Sequence, residues 1–127
     1  MSKRPPLAKS ELELARIVWD LGEATVREVA DQLPKERELD FFTVQTYLRR
    51  LEAKGYLRKR RRGRSNVYSP RVRPRQVVRE MIDDFVGRLF DGEALPLFQH
   101  LIQERGLTEE EIEELQETLD RLKKERK

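Results

Sequence analysis

The sequence predicts a mainly α-helical protein with one small β-hairpin and two halves of opposite charge. Apolar residues recur at helical spacing through most of the chain, and this pattern is interrupted once, by β-forming residues around a glycine. Residues 1–75 hold 19 Lys and Arg against 10 Asp and Glu, whereas residues 76–127 hold 8 against 14. A basic front half joined to an acidic helical half indicates a polyanion-binding domain followed by a segment with a different function.

Composition narrows the classes of function. The 127 residues include no Cys and a single His, His100, which excludes disulfides, thiolate metal sites, thiol nucleophiles and paired-histidine chemistry. We therefore expect no enzyme activity, no metal and no cofactor. Because no apolar run approaches about 18 residues and no signal-peptide core follows Met1, we also expect a cytoplasmic protein with no membrane partner.

Two short helices are predicted first. After a flexible tail over residues 1–6, a helix begins with Ser10 as its N-cap and ends at Gly22. A second helix begins at Thr25, whose Thr-x-x-Glu spacing is typical of a capping box, and ends at Pro34.

The third helix is predicted from Asp40, its N-cap, to about Lys54, with Gly55 ending it. Its apolar stripe consists of Phe41, Val44, Leu48 and Leu51. A helix that enters the major groove of DNA reads bases with its outward side chains, although each such residue taken singly is equally typical of a solvated helix face. The outward candidates are Phe42, Thr43, Gln45, Thr46, Arg49 and Arg50. Phe42 either packs on the second helix or touches a thymine methyl.

A β-hairpin is predicted over residues 56–70, around Gly63, with a register that the sequence leaves open. The basic residues at its turn are Lys59, Arg60, Arg61, Arg62 and Arg64. Five neighbouring cations repel one another, so phosphates of a nucleic acid explain them better than a solubilising charge run does. RNA or an anionic membrane surface are the other anionic targets. The order of three helices and a hairpin predicts a winged helix-turn-helix domain over residues 1–73.

Residues 74–127 are predicted to form a helical dimerisation domain. Its first helix has an apolar stripe too wide for a thin monomer to cover, and it ends at Asp91-Gly92. Its last helix begins with Thr108 in a capping box. The candidate dimer-interface residues are Val78, Met81, Ile82, Phe85, Val86, Leu89, Phe90, Leu115 and Leu119.

Five runs of the sequence together resemble one known family. They are the apolar segment ending in Trp at 12–19, the segment 25–29, the helix 42–55 with its Thr-Val-x-Thr and Arg-Leu-x-x-Lys-Gly elements, the wing 63–70, and the Phe-x-x-x-Leu-Phe-Asp-Gly run at 85–92. These runs resemble the penicillinase and methicillin-resistance repressors, the BlaI/MecI family of winged-helix transcriptional regulators.

The resemblance implies a homodimeric repressor whose winged domains bind the two half-sites of a dyad operator in duplex DNA. By position, it implies groove or backbone contacts for Thr43, Thr46, Arg49 and Arg50. Two family features do not carry over: the Asn-Phe cleavage site of some members is matched by His100-Leu101, and the Cys cluster of copper-responsive relatives is missing. The residues alone leave two other functions open, a winged-helix RNA-associated protein and a protein-binding adaptor whose basic face is incidental.

Overall fold

The computed structural model describes residues 4–37 and 39–126, which divide into a first unit ending at Arg79 and a second beginning at Glu80. The elements up to the boundary are α1 (Lys9–Leu21), β1 (Ala24–Thr25), α2 (Val26–Gln32), a 3-10 turn (Lys35–Arg37), α3 (Phe41–Ala53), β2 (Leu57–Arg62), β3 (Ser65–Pro70) and the start of α4 (Pro74–Phe90). The later elements are the rest of α4, α5 (Ala94–His100), a π-helical segment (Leu101–Arg105) and α6 (Glu109–Glu125). The predicted fold class is confirmed.

The predicted hairpin is part of a three-stranded antiparallel sheet in the order β1-β3-β2. Its register pairs Arg62 with Ser65, so the turn consists of Gly63 and Arg64. Gly63 has a φ of +60°, which the first turn residue of a two-residue type II′ hairpin requires. The sequence does not reveal β1, because a two-residue strand is too short to show alternation.

The core of the first unit lies between α1, α2 and α3 and the inner face of the sheet. Its larger fully buried side chains are Leu14, Val18, Val29, Val44, Leu48, Leu51, Leu57 and Tyr68. Val77 of α4 is buried in the same core, so the first unit extends beyond residue 73, where the sequence predicts its end.

Side-chain caps begin α2 and α3 as predicted. The Thr25 hydroxyl accepts a hydrogen bond from the Glu28 N–H at 3.2 Å, and the Glu28 carboxylate accepts one from the Thr25 N–H at 2.8 Å. The Asp40 carboxylate accepts a hydrogen bond from the Thr43 N–H at 2.7 Å. Gly55, with a φ of +92°, follows the end of α3.

The start of α1 differs from the predicted one. Ala8, rather than Ser10, is the N-cap, and its N–H donates to the Glu11 carboxylate at 2.8 Å. The Ser10 hydroxyl instead accepts a hydrogen bond from Arg37 at 3.3 Å, beside the ion pair of Arg37 with Glu13. A contact with the distant Arg37 therefore replaces the local cap.

One ion pair is buried where α1 begins and α3 ends. The Glu11 side chain is 2% exposed, and its carboxylate lies 2.6 Å from Lys54 Nζ, which also donates to the Pro6 carbonyl at 3.0 Å. Burial by itself raises the pKa of the Glu11 carboxyl, but hydrogen bonds from Lys54 and Ala8, with the charges of Lys54 and Arg50, hold this pKa below its ordinary value. The pair fixes the end of α3 against α1.

Residues 4–6 are attached to this same end of α3. The Tyr56 hydroxyl donates to the Pro5 carbonyl at 2.8 Å, and the Arg4 guanidinium lies 5.3 Å from the centroid of the Tyr56 ring. The sequence predicts a flexible tail over residues 1–6, and in the structure residues 4–6 contact two side chains far along the chain, Lys54 and Tyr56. Residues 1–3 lie outside the described part of the chain.

The second unit has no buried residue among those described. Asp91 and Gly92 end α4 with φ values of 54° and 84°, as the sequence predicts. Thr108 and Glu111 form the predicted capping box of α6, with distances of 3.1 and 2.9 Å. No described helix combines the length and the apolar character needed to cross a membrane.

Replacing Glu11 by glutamine tests the buried ion pair. We expect Glu11→Gln to lower the free energy of unfolding at pH 7 by about 2 kcal/mol, because the Lys54 ammonium loses its counter-charge. Because the folded-state pKa of Glu11 is lowered, its stabilisation is complete above the unfolded-state pKa and is lost as the pH falls through the folded-state value.

Urea unfolding of the wild type and the variant from neutral to acidic pH measures this effect. The wild type should lose more stability than the variant across the acid range. Glu36→Gln, at an exposed glutamate, is the matched control and should stay within about 0.5 kcal/mol of the wild type. Equal losses for Glu11→Gln and Glu36→Gln would contradict the assigned role of the pair.

Candidate nucleic-acid interface

The outward face of α3 carries all the side chains that the sequence selects as base-reading candidates. Phe42, Thr46, Arg49 and Arg50 are exposed, and Thr43 and Gln45 are half-buried. The buried stripe of Val44, Leu48 and Leu51 lies on the other side, so packing in the core determines which residues α3 presents to a partner.

The first turn of α3 is held in place by hydrogen bonds within the helix. The hydrogen bond from the Thr43 N–H, reinforced by one from its hydroxyl, holds the pKa of Asp40 below its ordinary value. A carboxylate thus already occupies the positive end of the helix dipole. The Thr46 hydroxyl donates to the Phe42 carbonyl at 2.9 Å, which leaves its oxygen free to act as an acceptor.

Phe41 departs from the predicted buried stripe, because it is 40% exposed. It opens α3 at the edge of the core, where its ring lies 5.7 Å from the Arg27 guanidinium of α2 and 5.9 Å from the Phe42 ring. Phe41 is therefore the ring that meets α2. Phe42 stays 74% exposed, an unusual state for a large aromatic side chain.

The two arginines at the end of α3 differ in their surroundings. The Arg50 guanidinium lies 5.5 Å from the centroid of the Tyr47 ring, a contact that restricts its orientation. Burial raises the pKa of the Tyr68 phenol in β3, and the charge of Arg49 opposes this rise in part. Lys59 is the direct partner of Tyr68 in the sheet, so these two side chains share one face of it.

Strand alternation divides the basic residues of β2 between two faces. Lys59 and Arg61 share the inner face with Tyr68, whereas Arg60 and Arg62 share the outer face. Arg64 lies in the turn itself. The five wing cations predicted from the sequence are therefore not brought to one face.

The outer pair has a counter-ion within the protein. One carboxylate oxygen of Glu23 lies 2.8 Å from the Arg60 guanidinium, and the other oxygen accepts a hydrogen bond from Arg62. The hydrogen bond from Arg62, with the charges of both arginines, holds the pKa of Glu23 below its ordinary value. The repulsion that favours an external anion therefore applies mainly to Lys59, Arg61 and Arg64, which have no ion pair among the described residues. The sequence does not indicate Glu23, which is 37 residues from Arg60.

The predicted dimer-interface residues are not covered within the chain. Val86 and Phe90 are half-buried, and the Phe90 ring lies 6.0 Å from the Phe85 ring. The exposed members are Val78, Met81, Ile82, Phe85, Leu89, Leu115 and Leu119. Other exposed apolar side chains of the second unit are Leu95, Phe98, Leu101, Ile102, Ile112 and Leu122.

An amphipathic helix with a basic and aromatic outward face, next to a basic β-hairpin, defines a winged-helix DNA-binding regulator. The family model described as penicillinase repressor matches residues 7–121. The chain belongs to the penicillinase repressor family, which confirms the resemblance and the expectation that it is a transcription regulator and not an enzyme.

Three similar proteins illustrate the match. The penicillinase repressor of Bacillus licheniformis is 29% identical over 127 residues, which cover 100% of this chain and 99% of that protein. The methicillin resistance regulatory protein MecI of Mammaliicoccus sciuri is 21% identical over 120 residues, which cover 94% of this chain and 98% of that one. The solution structure of the DNA-binding domain of the repressor BlaI is 35% identical, covers 57% of this chain and 88% of that chain, and has a TM-score of 0.50.

Proposed function

We propose that this chain is a cytoplasmic repressor that binds a dyad-symmetric operator in duplex DNA as a homodimer. The observation that carries the proposal is the outward face of α3, which exposes Phe42, Arg49 and Arg50. Family membership supports the same function, since the relatives are repressors.

In this proposal α3 enters the major groove. Arg49 and Arg50 reach guanine edges or phosphates, and Gln45 addresses adenine from the edge of the face. Thr43 and Thr46 are short enough for close approach of the backbone, and they bond to phosphate or pack on a thymine methyl. Phe42 supplies a second apolar contact to thymine.

The wing contacts the phosphate backbone beside the groove. Lys59, Arg61 and Arg64 supply cations that are not paired within the described chain, and each phosphate they neutralise adds a salt-dependent increment to the affinity. Arg60 and Arg62 lie on the other face of β2, where Glu23 holds them in the free protein, and they become available to further phosphates when Glu23 is displaced.

A second copy of the chain covers the apolar residues of α4 and α6. The described residues of the second unit include none that is buried, although they carry large apolar side chains at helical spacing. Such a surface is costly in water, and an isologous dimer is the commonest way of covering it. Dimer symmetry also places two copies of α3 for the two half-sites of an inverted repeat.

Selection of bound sequences from a random duplex pool tests this function. At physiological salt we expect the recovered DNA to contain an inverted repeat, because a symmetric dimer presents two equivalent recognition helices. A duplex RNA pool of the same sequences is the matched competitor. Preferential recovery of RNA, or recovery of DNA without any shared sequence, would contradict the proposal.

Arg50→Ala tests the reading face. If Arg50 contacts a base, the variant should lose about 1–3 kcal/mol of binding free energy and relax the preference at one position, whereas a phosphate contact weakens binding to all sequences alike. Arg16→Ala, which removes an exposed arginine of α1, is the control for net charge. Binding by Arg50→Ala that matches Arg16→Ala would exclude Arg50 from the interface.

Polar substitution of the α4 stripe tests the dimer. We expect the double variant Phe85→Ser with Leu89→Ser to sediment as a monomer and to bind a single half-site weakly. The reason is that the exposed apolar side chains that contact the second copy are then absent. Asp84→Ser with Arg88→Ser alters the polar side of the same helix and is the matched control. A dimer that survives the Phe85 and Leu89 changes would place the interface elsewhere.

A further inference from the structure

We propose that Glu23 sets the DNA affinity of the wing, because its carboxylate competes with DNA phosphates for Arg60 and Arg62. This inference rests on the proposed function and assigns a role to a residue outside the reading helix and the wing. It starts from the one described carboxylate that engages two wing arginines at once, with 2.8 Å between its first oxygen and Arg60 and its second oxygen bonded to Arg62.

The arrangement resembles the way in which arginines hold a phosphate. Each oxygen of Glu23 accepts from one guanidinium, so the carboxylate bridges two cations as two oxygens of a phosphate do. The hydrogen bond from Arg62 holds the pKa of Glu23 below its ordinary value, and the group is therefore ionised at neutral pH. DNA that engages these arginines must displace Glu23 or share them with it.

The position and exposure of the arginines allow this competition. Arg62 ends β2 immediately before the Gly63-Arg64 turn, where a wing meets the DNA backbone. The side chains of Arg60, Arg62 and Glu23 are 56%, 58% and 44% exposed, so phosphate has access to them in the folded protein. Exposed ion pairs contribute little to stability and exchange readily. Glu23 therefore fits a competitor for the arginines better than a permanent structural contact.

A single substitution that removes the charge of Glu23 distinguishes a competitor for the arginines from a structural contact. The probe is a short duplex without an inverted repeat, so that only the sequence-independent part of the affinity is measured. We expect Glu23→Gln to raise the affinity by about 3- to 10-fold and to steepen the slope of log affinity against log salt by about 1 to 2, because two more phosphate contacts form.

Asp20→Asn is the matched control, since it removes the same charge from an exposed position three residues away. It should change the affinity much less than Glu23→Gln does. In a protein that carries Arg60→Ala with Arg62→Ala, Glu23→Gln should gain no more than Asp20→Asn, and thermal unfolding verifies that every variant is folded.

Each other outcome overturns the inference. Equal effects of Glu23→Gln and Asp20→Asn would show only a long-range charge effect, and weaker binding by Glu23→Gln would show that Glu23 orients the arginines for DNA. A gain in affinity that persists without Arg60 and Arg62 would show that Glu23 does not act through these arginines. If the wild type fails to bind the duplex at any salt, the proposed function fails as well, and this distinguishes the two failures.

Discussion

The buried ion pair between Glu11 and Lys54 joins the end of α3 to the start of α1. The apolar stripe of α3 decides which face of the helix is turned inward, but a stripe alone permits sliding and tilting on the core. The ion pair adds a fixed point at the end of α3, and the Asp40 cap stabilises the first turn of the same helix. Under the proposed function both contribute, because side chains that read bases must keep their spacing to the base edges.

The two units obey different physical constraints. The first has enough apolar residues to enclose Tyr68, Leu48 and Leu51 completely, so it has a core within one chain. The second has apolar residues on every helix but no buried position among those described. Its stability therefore depends on concentration if a second copy covers it, and repression then responds to the amount of protein present.

Local sequence signals predicted most of the helices, and long-range contacts account for what they missed. The caps at Thr25, Asp40 and Thr108 depend on residues three positions apart, so their chemistry is visible in the sequence. The cap at Ser10 failed because Arg37, 27 residues away, uses that hydroxyl. Local sequence patterns do not reveal a partner so far along the chain.

In the candidate interface, too, local signals predict some features, whereas contacts between distant residues determine others. Helical periodicity separates the buried and outward residues of α3, apart from Phe41, which is predicted to be buried and is 40% exposed beside Arg27 of α2. The basic run of the wing is evident, but its separation into two faces follows from the strand register, which the turn at Gly63 sets. The carboxylate of Glu23 comes from a different element and is found only in three dimensions.

The attachment of residues 4–6 means that a shortened protein and the whole one differ in more than length. A chain trimmed to begin at α1 would retain every exposed side chain of α3, yet Lys54 would lose the Pro6 carbonyl and the Tyr56 hydroxyl would lose the Pro5 carbonyl. The end of α3 would then keep its chemistry and lose part of its anchorage, so proteins with and without residues 4–6 are not interchangeable in binding measurements.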